Sequence, residues 1–367
     1  MTEDIVWQPF ETISAERPWE RAITWKQQTG GKVVGHLLPD VPEEIIHAAG
    51  ALPVAVWGAG VQISHAQAHI PGYTCSHAMG ALEHGLRSNL EFLDGMIIPY
   101  VCDTTRNLFH IWQQCFPNMH NEFLRVPKRI DYPAAGAYLR SEYGRLFDSM
   151  KSLTEKNVGA EDVLESIALY NTSRKMLRRA YQRQQDNPSV WTQSRVMSLF
   201  QSSLLWPRQE HVDLMSRLPW DSLETGSVAS RIPVYVRGKV WDPPTILDLF
   251  NTLGLVLTQD EIVTGYRMVA QDVSMEGDPL DALVERFLRL VPYPGYHSDP
   301  EAMVQDFVGR VKKSGAQGVI FLNPKFCEAA GFDTPDFLKG LEEDEIPTLV
   351  LETSARGTSL EQIKVRL

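Results

Sequence analysis

Cysteine is scarce in this chain, and three of its four cysteines stand where an apolar run gives way to a polar loop. Cys75 lies in GYTCSHAMGALEHGL, Cys102 in GMIIPYVCDTTRNLF and Cys327 in GVIFLNPKFCEAAGF. Three thiolates brought together from distant loops can hold a metal centre and leave one coordination position open. A single free cysteine is more often a small buried hydrophobe. Against that reading, none of the three sits inside a continuous apolar run, and each has small or polar neighbours: Thr74 and Ser76, Asp103 and Thr104, Lys325 and Glu328. Helix starts at Cys75 and Cys102 would favour the thiolate. Cys115, on the helical stretch after Cys102, reads as packing.

Residue types alone leave the metal open. A zinc site expects a paired C-x2-C, which the chain lacks, although Cys75 and His77 form a Cys-x-His half. His65, His69, His84 and His110 are near in sequence, but such residues are usually surface or hydrogen-bonding groups. An iron–sulfur cluster on three cysteines would leave one iron free. Spacing does not choose between the two, because the ligands come from separate loops.

Missing motifs narrow the chemistry. There is no G-x-x-x-x-G-K-[ST], so no ATP site of the P-loop kind is encoded. Gly58-Ala59-Gly60 lacks the third glycine of a dinucleotide fingerprint and reads as a turn, so NAD is not expected either. There is no G-x-S-x-G and no H-E-x-x-H. With 35 Lys and Arg against 46 Asp and Glu, the formal charge is -11, and no long basic run offers a surface to nucleic acid or an anionic membrane. No apolar stretch approaches the ~20 residues that span a bilayer. The acidic start MTEDIVWQPFETISAERPWE does not read as a secretory signal, and four dispersed cysteines do not read as a disulfide scaffold. A cytoplasmic location is expected.

The elements that must position the cysteines alternate between helix and apolar strand. After a polar, Trp-rich arm (1–28), expected to lie on a neighbour, a helix from about Pro42 leads to a strand at 53–57. A helix near 76–94, a strand at 95–101, a helix after Cys102 and a strand at 123–127 follow. Residues 136–217 carry helical periodicity without strand-like runs. Alternation resumes with strands at 231–238, 318–322 and 346–353, and helices over 243–254 and in PLDALVERFLRL. The expected fold is α/β: two doubly wound parallel-sheet domains (29–135 with Cys75 and Cys102; 229–367 with Cys327) joined by a helical connector (136–228). In such sheets ligands bind beyond the carboxyl ends of the strands, so a shared metal cluster would lie in the inter-domain cleft.

These segments resemble a known family. Pro-Glu-Glu-Ile-Ile-His-Ala-Ala-Gly (42–50) with the following Leu-Pro-Val and first cysteine is similar to the entry of the 2-hydroxyacyl-CoA dehydratase and benzoyl-CoA reductase family. Leu-Asp-Gly-Met-Ile-Ile-Pro-Tyr-Val-Cys-Asp-Thr-Thr-Arg-Asn-Leu (93–108) resembles its second cysteine motif, and Asn-Pro-Lys-Phe-Cys-Glu (323–328) its last. Ile-Pro-Thr-Leu-Val-Leu-Glu (346–352) and Glu-Gln-Ile-Lys-Val-Arg (361–366) match its closing strand and helix. The likeness covers roughly 30–130 and 230–367.

The resemblance implies that Cys75, Cys102 and Cys327 bind a [4Fe–4S] cluster whose fourth iron faces a CoA thioester substrate. It implies pairing with a homologous cluster-bearing subunit, and electron supply from a separate ATP-hydrolysing iron–sulfur activator with ferredoxin upstream. ATP would then be used by a partner. Within the family the wording is most like the smaller catalytic subunits, of C or B type, of ATP-dependent benzoyl-CoA reductase, which dearomatise an aromatic ring. A radical 2-hydroxyacyl-CoA dehydratase subunit is the alternative, and a non-catalytic two-domain binding protein another. Backbone N–H groups at Ser76 and Asp103 are candidates to bond cluster sulfurs. His77, Asp103 and Glu83 are candidate proton donors, although Asp103 could equally cap its helix and Glu83 be a solvated charge.

Overall fold

The structure is a computed structural model that describes residues 3–11, 18–58, 61–221, 231–241, 246–290, 294–354 and 360–367. Ala59 and Gly60 of the expected turn, residues 12–17 of the arm and the first residues of the 243–254 helix lie outside that set.

Eight described strands form two four-stranded sheets, each wholly parallel. The first contains β1 (Val33–Leu37), β2 (Leu52–Val56), β3 (Gly95–Pro99) and β4 (His120–Leu124), in the order β2-β1-β3-β4. The second contains β5 (Ile232–Gly238), β6 (Leu255–Asp260), β7 (Gly318–Pro324) and β8 (Thr348–Thr353), in the order β6-β5-β7-β8. The two orders are the same, so each sheet reverses its winding once, at β1/β3 and at β5/β7. β1, β2 and β3 are buried at every residue, as expected of parallel strands covered on both faces. Pro53 sits in β2, an edge strand, where a missing N–H costs no ladder bond. That edge is covered: the N–H of Ala55 donates to the carbonyl of Leu204 at 2.8 Å.

Two strands were not expected from the sequence. β1 is five residues long and interrupted by Gly35, where a Cβ would come within 2.6 Å of Leu93 and 3.1 Å of Val56. The glycine that weakens the strand signal is what lets β1 lie in the middle of its sheet. β6 ends Thr-Gln-Asp, too polar to read as an apolar run. β4 begins three residues before the expected 123–127, and the 76–94 helix stops at Leu86.

Between β4 and β5 the described elements are helices: Ala135–Thr154, Ala160–Asp186, Gln193–Ser203 and Arg208–Met215. The N-terminal helices lie on this same chain instead of on a neighbour. In Glu3–Glu11, Trp7 meets Trp191 edge-on at 5.0 Å and Phe10 stacks on Trp206 at 5.4 Å; just before the second helix, Glu20–Thr29, Trp19 donates to the Ala55 carbonyl. Burying these rings outweighs the polar residues between them. No helix among the described residues is long and apolar enough to cross a membrane.

His211 is fully buried beside Phe10 and Trp206, and its Nε2 lies 3.0 Å from the Leu199 carbonyl. Burial, with Arg208 nearby, pushes its pKa down to about 3. The unfolded chain therefore takes up a proton near pH 6.5 that the fold refuses, so His211 makes stability fall as pH falls from 6.5 towards 3. The expected slope is about 1.4 kcal/mol per pH unit. In His211→Gln, which keeps an N–H for Leu199, urea unfolding between pH 4 and 6 should show a slope smaller by about one proton.

Candidate metal centre

All three singled-out cysteines occupy the same local position: each is the residue before the first turn of a helix. Cys75 precedes Ser76–Leu86, Cys102 precedes Asp103–Cys115 and Cys327 precedes Glu328–Glu343. At such positions the following N–H groups have no intrahelical acceptor and point towards the side chain. At Cys102 the local network is explicit. Cys102 Sγ lies 3.9 Å from Thr105 Oγ1, to which the thiol donates, and the same Oγ1 accepts from the N–H groups of Val101 and Cys102 at 3.1 and 3.2 Å. Cys327 is turned by Phe326, a non-glycine residue in the left-handed region at φ 63°. That conformation stores about 1 kcal/mol or more, held here by Lys325 N–H donating to Thr353 and Cys327 N–H donating to Pro324.

The helix after Cys75 is seated by two glycines. A Cβ on Gly80 would meet Gly58 Cα at 2.3 Å, and one on Gly58 would meet the Ser76 carbonyl at 2.7 Å. Only bare backbone on both sides lets this helix approach the end of β2.

The three cysteines line one cavity of about 60 Å³. Its walls include residues at or just beyond the carboxyl ends of strands from both sheets: Leu37 at β1, Val56 at β2, Val101 after β3, Lys239 after β5, Val263 after β6 and Pro324 at β7. The walls are mostly apolar. Among the described residues, no group of three or more His, Cys, Asp or Glu converges as the ligands of one metal ion would. Thiolates on one zinc at about 2.3 Å stand only ~3.8 Å apart. Ligands of a polynuclear cluster sit on different irons and are spaced more widely, which fits three cysteines around a shared cavity.

The electrostatics correct one expectation. Burial pushes the Cys75 thiol up to about 11, and the Cys327 and Cys102 sulfurs push in the same direction. The Ala78 N–H and the Lys239 ammonium act against this without overcoming it. A helix start at Cys75 is therefore not enough to hold a thiolate; a bound metal would supply the missing positive charge. Two lysines supply part of it. Lys239 is buried in the cavity wall. Lys128 is pushed down to about 8 by burial, with Cys102 and Asp103 opposing, and stands 4.3 Å over the Tyr100 ring. Both escape sequence reasoning; the one signal at Lys239 is a lysine set in the apolar run VYVRGKVW.

The remaining candidates separate. His77 lines the cavity, and burial, helped by Lys239, pushes its pKa down to about 4, so its imidazole is neutral at neutral pH. Ser76 is buried at the start of its helix, where its N–H is free of helical acceptors. Asp103 points elsewhere: its side chain is 64% exposed, lies 3.5 Å from Arg106 and lines a neighbouring groove of about 650 Å³ with Tyr73, Asn107, Phe326 and Glu328. Glu83 is far from a solvated charge. It is fully buried and accepts from the N–H groups of Ser64, His65 and Ala66, from Ser64 Oγ and from Arg87. Burial would raise its pKa, but these donors hold it well below the usual carboxylate range. It is not a wall residue of the cavity and fastens the loop before Cys75. His65 leans on Glu83, His69 on Cys115, His84 on Asn89 and His110 on Phe109; none lines the cavity, and neither does Cys115.

Residues 40–367 match the family model described as 2-hydroxyglutaryl-CoA dehydratase, D-component. The chain belongs to this family. Among curated relatives, the C-type subunit of benzoyl-CoA reductase from Thauera aromatica is 26% identical over 363 residues, covering 96% of this chain and 94% of the relative. The (R)-phenyllactyl-CoA dehydratase beta subunit of Clostridium sporogenes is 25% identical over 355 residues, with the same coverage. The lactoyl-CoA dehydratase beta subunit of Anaerotignum propionicum is 26% identical over 365 residues, again with 96% and 94% covered. Family members thus include oxidoreductase and dehydratase subunits that act on CoA thioesters.

Because Gly80 meets backbone, Gly80→Ala cannot be absorbed by a side-chain rotation. It should cost about 1–3 kcal/mol in urea unfolding. It should also change the alkylation rate of Cys75 more than that of Cys115, read by peptide mass spectrometry.

Proposed function

We propose that this chain is an iron–sulfur catalytic subunit of an acyl-CoA enzyme of the ATP-dependent benzoyl-CoA reductase type. The observation that carries the reading is the meeting of Cys75, Cys102 and Cys327, each before a helix, in one mostly apolar cavity. We read the cavity as an inter-domain cleft between units 29–135 and 229–367, with 136–228 connecting them. A [4Fe–4S] cluster held by three thiolates carries single electrons at low potential and keeps one iron open to substrate. Around it, Thr105 Oγ1 would lie beside the Cys102 sulfur, the Ser76 and Asp103 N–H groups would be available to cluster sulfurs, and Leu37, Val56 and Val101 would exclude water. His77, neutral, could donate or accept one hydrogen bond in the cavity. Asp103 stands at the groove through which a CoA thioester would approach. A homologous cluster-bearing subunit, an ATP-hydrolysing activator and ferredoxin are the proposed partners, in a cytoplasmic setting. The absence of a P-loop from this sequence supports assigning ATP to a partner.

A dehydratase subunit is the second reading, favoured by the family description and by beta subunits at nearly the same identity as the reductase subunit. Stoichiometry separates the two: ring reduction consumes two electrons per turnover, dehydration only a starting one.

Anaerobically isolated protein should be brown, with about four irons and four sulfides. Cys75→Ser, Cys102→Ser and Cys327→Ser should each lose most of that iron, while Cys115→Ser keeps it. Colourless protein after anaerobic reconstitution, with the three thiols freely alkylated, would overturn the reading; zinc without sulfide would indicate a structural metal. With partner subunits and reductant, turnover of benzoyl-CoA and none of a 2-hydroxyacyl-CoA is expected.

Lys239 gives a sharper test. A unit charge within roughly 8 Å at an effective dielectric of about 20 is worth ~2 kcal/mol, on the order of 100 mV for one electron. Each added electron makes the centre more negative, so the buried ammonium favours reduction. Lys239→Met should retain iron yet lower the midpoint potential by that order, read by EPR-monitored titration.

A further inference from the structure

A second cavity, of about 80 Å³, lies where the segment after β1 meets the helices between the sheets. It shares only Leu38 and Val263 with the cysteine cavity. Its lining holds four guanidinium groups, Arg174, Arg208, Arg267 and Arg286, and three carboxylates, Asp40, Glu43 and Glu44. Three of the arginines are matched one to one. Arg208 donates to Glu43 at 2.5 Å, Arg267 grips both oxygens of Asp40 at 2.7 and 3.0 Å, and Arg174 donates to Glu44.

Arg286 is different. Its Nε donates to the Gln271 carbonyl at 3.0 Å and its Nη2 to the Met268 carbonyl at 2.7 Å, both neutral acceptors. Its Nη1 has no hydrogen-bond partner among the described residues. Four cations against three anions leave one positive charge over. A lysine so placed could shed its proton; a guanidinium does not do so near neutral pH. Arg286 is half-buried, so water in the cavity reaches its charge without cancelling it, and a surplus cation beside three other guanidinium groups favours a bound anion. Burial, reinforced by Arg174, pushes the Arg286 pKa down to about 9, with Glu44 and Asp40 opposing.

We propose that this cavity binds one small monovalent oxyanion or carboxylate, with Arg286 as its principal ligand. The volume suits a nitrate, formate or dihydrogen phosphate ion, or a few waters, and is far too small for a CoA thioester. The site stands independently of any metal at the cysteines.

The test uses the full chain as isolated, at constant ionic strength, with gluconate as the bulky reference anion. Replacing gluconate by nitrate should raise the Tm saturably, since a ligand that binds only the folded chain stabilises it. Formate and dihydrogen phosphate arms distinguish a carboxylate from a phosphate source. Arg286→Met should raise the half-saturating nitrate concentration at least tenfold, and Arg286→Lys, which keeps a charge, should raise it less. An equal Tm in nitrate and gluconate, or an undiminished response in Arg286→Met, would overturn the proposal. Should Arg286→Met fail to fold, crystals of the unaltered chain grown in bromide decide: an anomalous peak in the cavity beside Arg286 supports the site, and peaks only elsewhere refute it.

Discussion

A thiol does not ionise unaided in an apolar cavity, and the arrangement around Cys75, Cys102 and Cys327 answers that constraint. Desolvation raises the Cys75 pKa to about 11 despite a helix start and a nearby ammonium. The fold meets this by aiming several small positive potentials at one place. Helix starts follow all three cysteines, and Lys239 closes the wall. None suffices alone, because a helix terminus is worth roughly 1 kcal/mol and burial costs more. On the proposed reading the remaining charge would come from a metal, so thiolate formation and metal binding would be one event.

Placing three helix starts around one cavity is a backbone problem before it is a side-chain problem. Parallel sheets put helix starts beyond their carboxyl ends, and both sheets here have the same strand order. The residues that do the positioning are plain: Gly58 against Gly80, Gly35 in β1, Phe326 in the left-handed region, and Glu83 fastening three consecutive N–H groups. Glu83 illustrates the difference between a charge available for chemistry and one used up in structure. Its oxygens are saturated by donors, so it has no reason to take or give a proton near neutral pH.

The sequence was most legible where signals were local. The apolar runs behind β2, β3, β5, β7 and β8 were readable, as was the position of each cysteine at the end of a run. β1 and β6 were not, because a central glycine and a polar tail erase the pattern that burial normally writes. Lys239, Lys128 and Thr105 were missed for another reason: what matters about them is what they face across the chain. The same holds for the arm, whose Trp7 and Phe10 gain meaning only beside Trp191 and Trp206. The arginine–carboxylate pairs at Asp40, Glu43 and Glu44 join residues more than a hundred positions apart and leave no local trace.

The cavity also constrains how the proposed chemistry can be supplied with protons. Adding two electrons to an aromatic thioester calls for two protons, and the protonatable side chains near the cysteines are few. His77 is held neutral by burial and by Lys239, so it can offer only the weakly acidic N–H of an imidazole. Lys239 supplies the charge that favours a thiolate at Cys75, and losing its proton would remove that charge. Glu83 is ionised and occupied, and Asp103 faces the outer groove. A ring reduction at this centre therefore has to draw protons through the groove beside Cys327 or from a partner subunit. A dehydration, in which hydroxide leaves and no net reduction accumulates, makes a smaller demand on the same wall. The proton supply, more than the three cysteines, is what distinguishes the two chemistries open to this family.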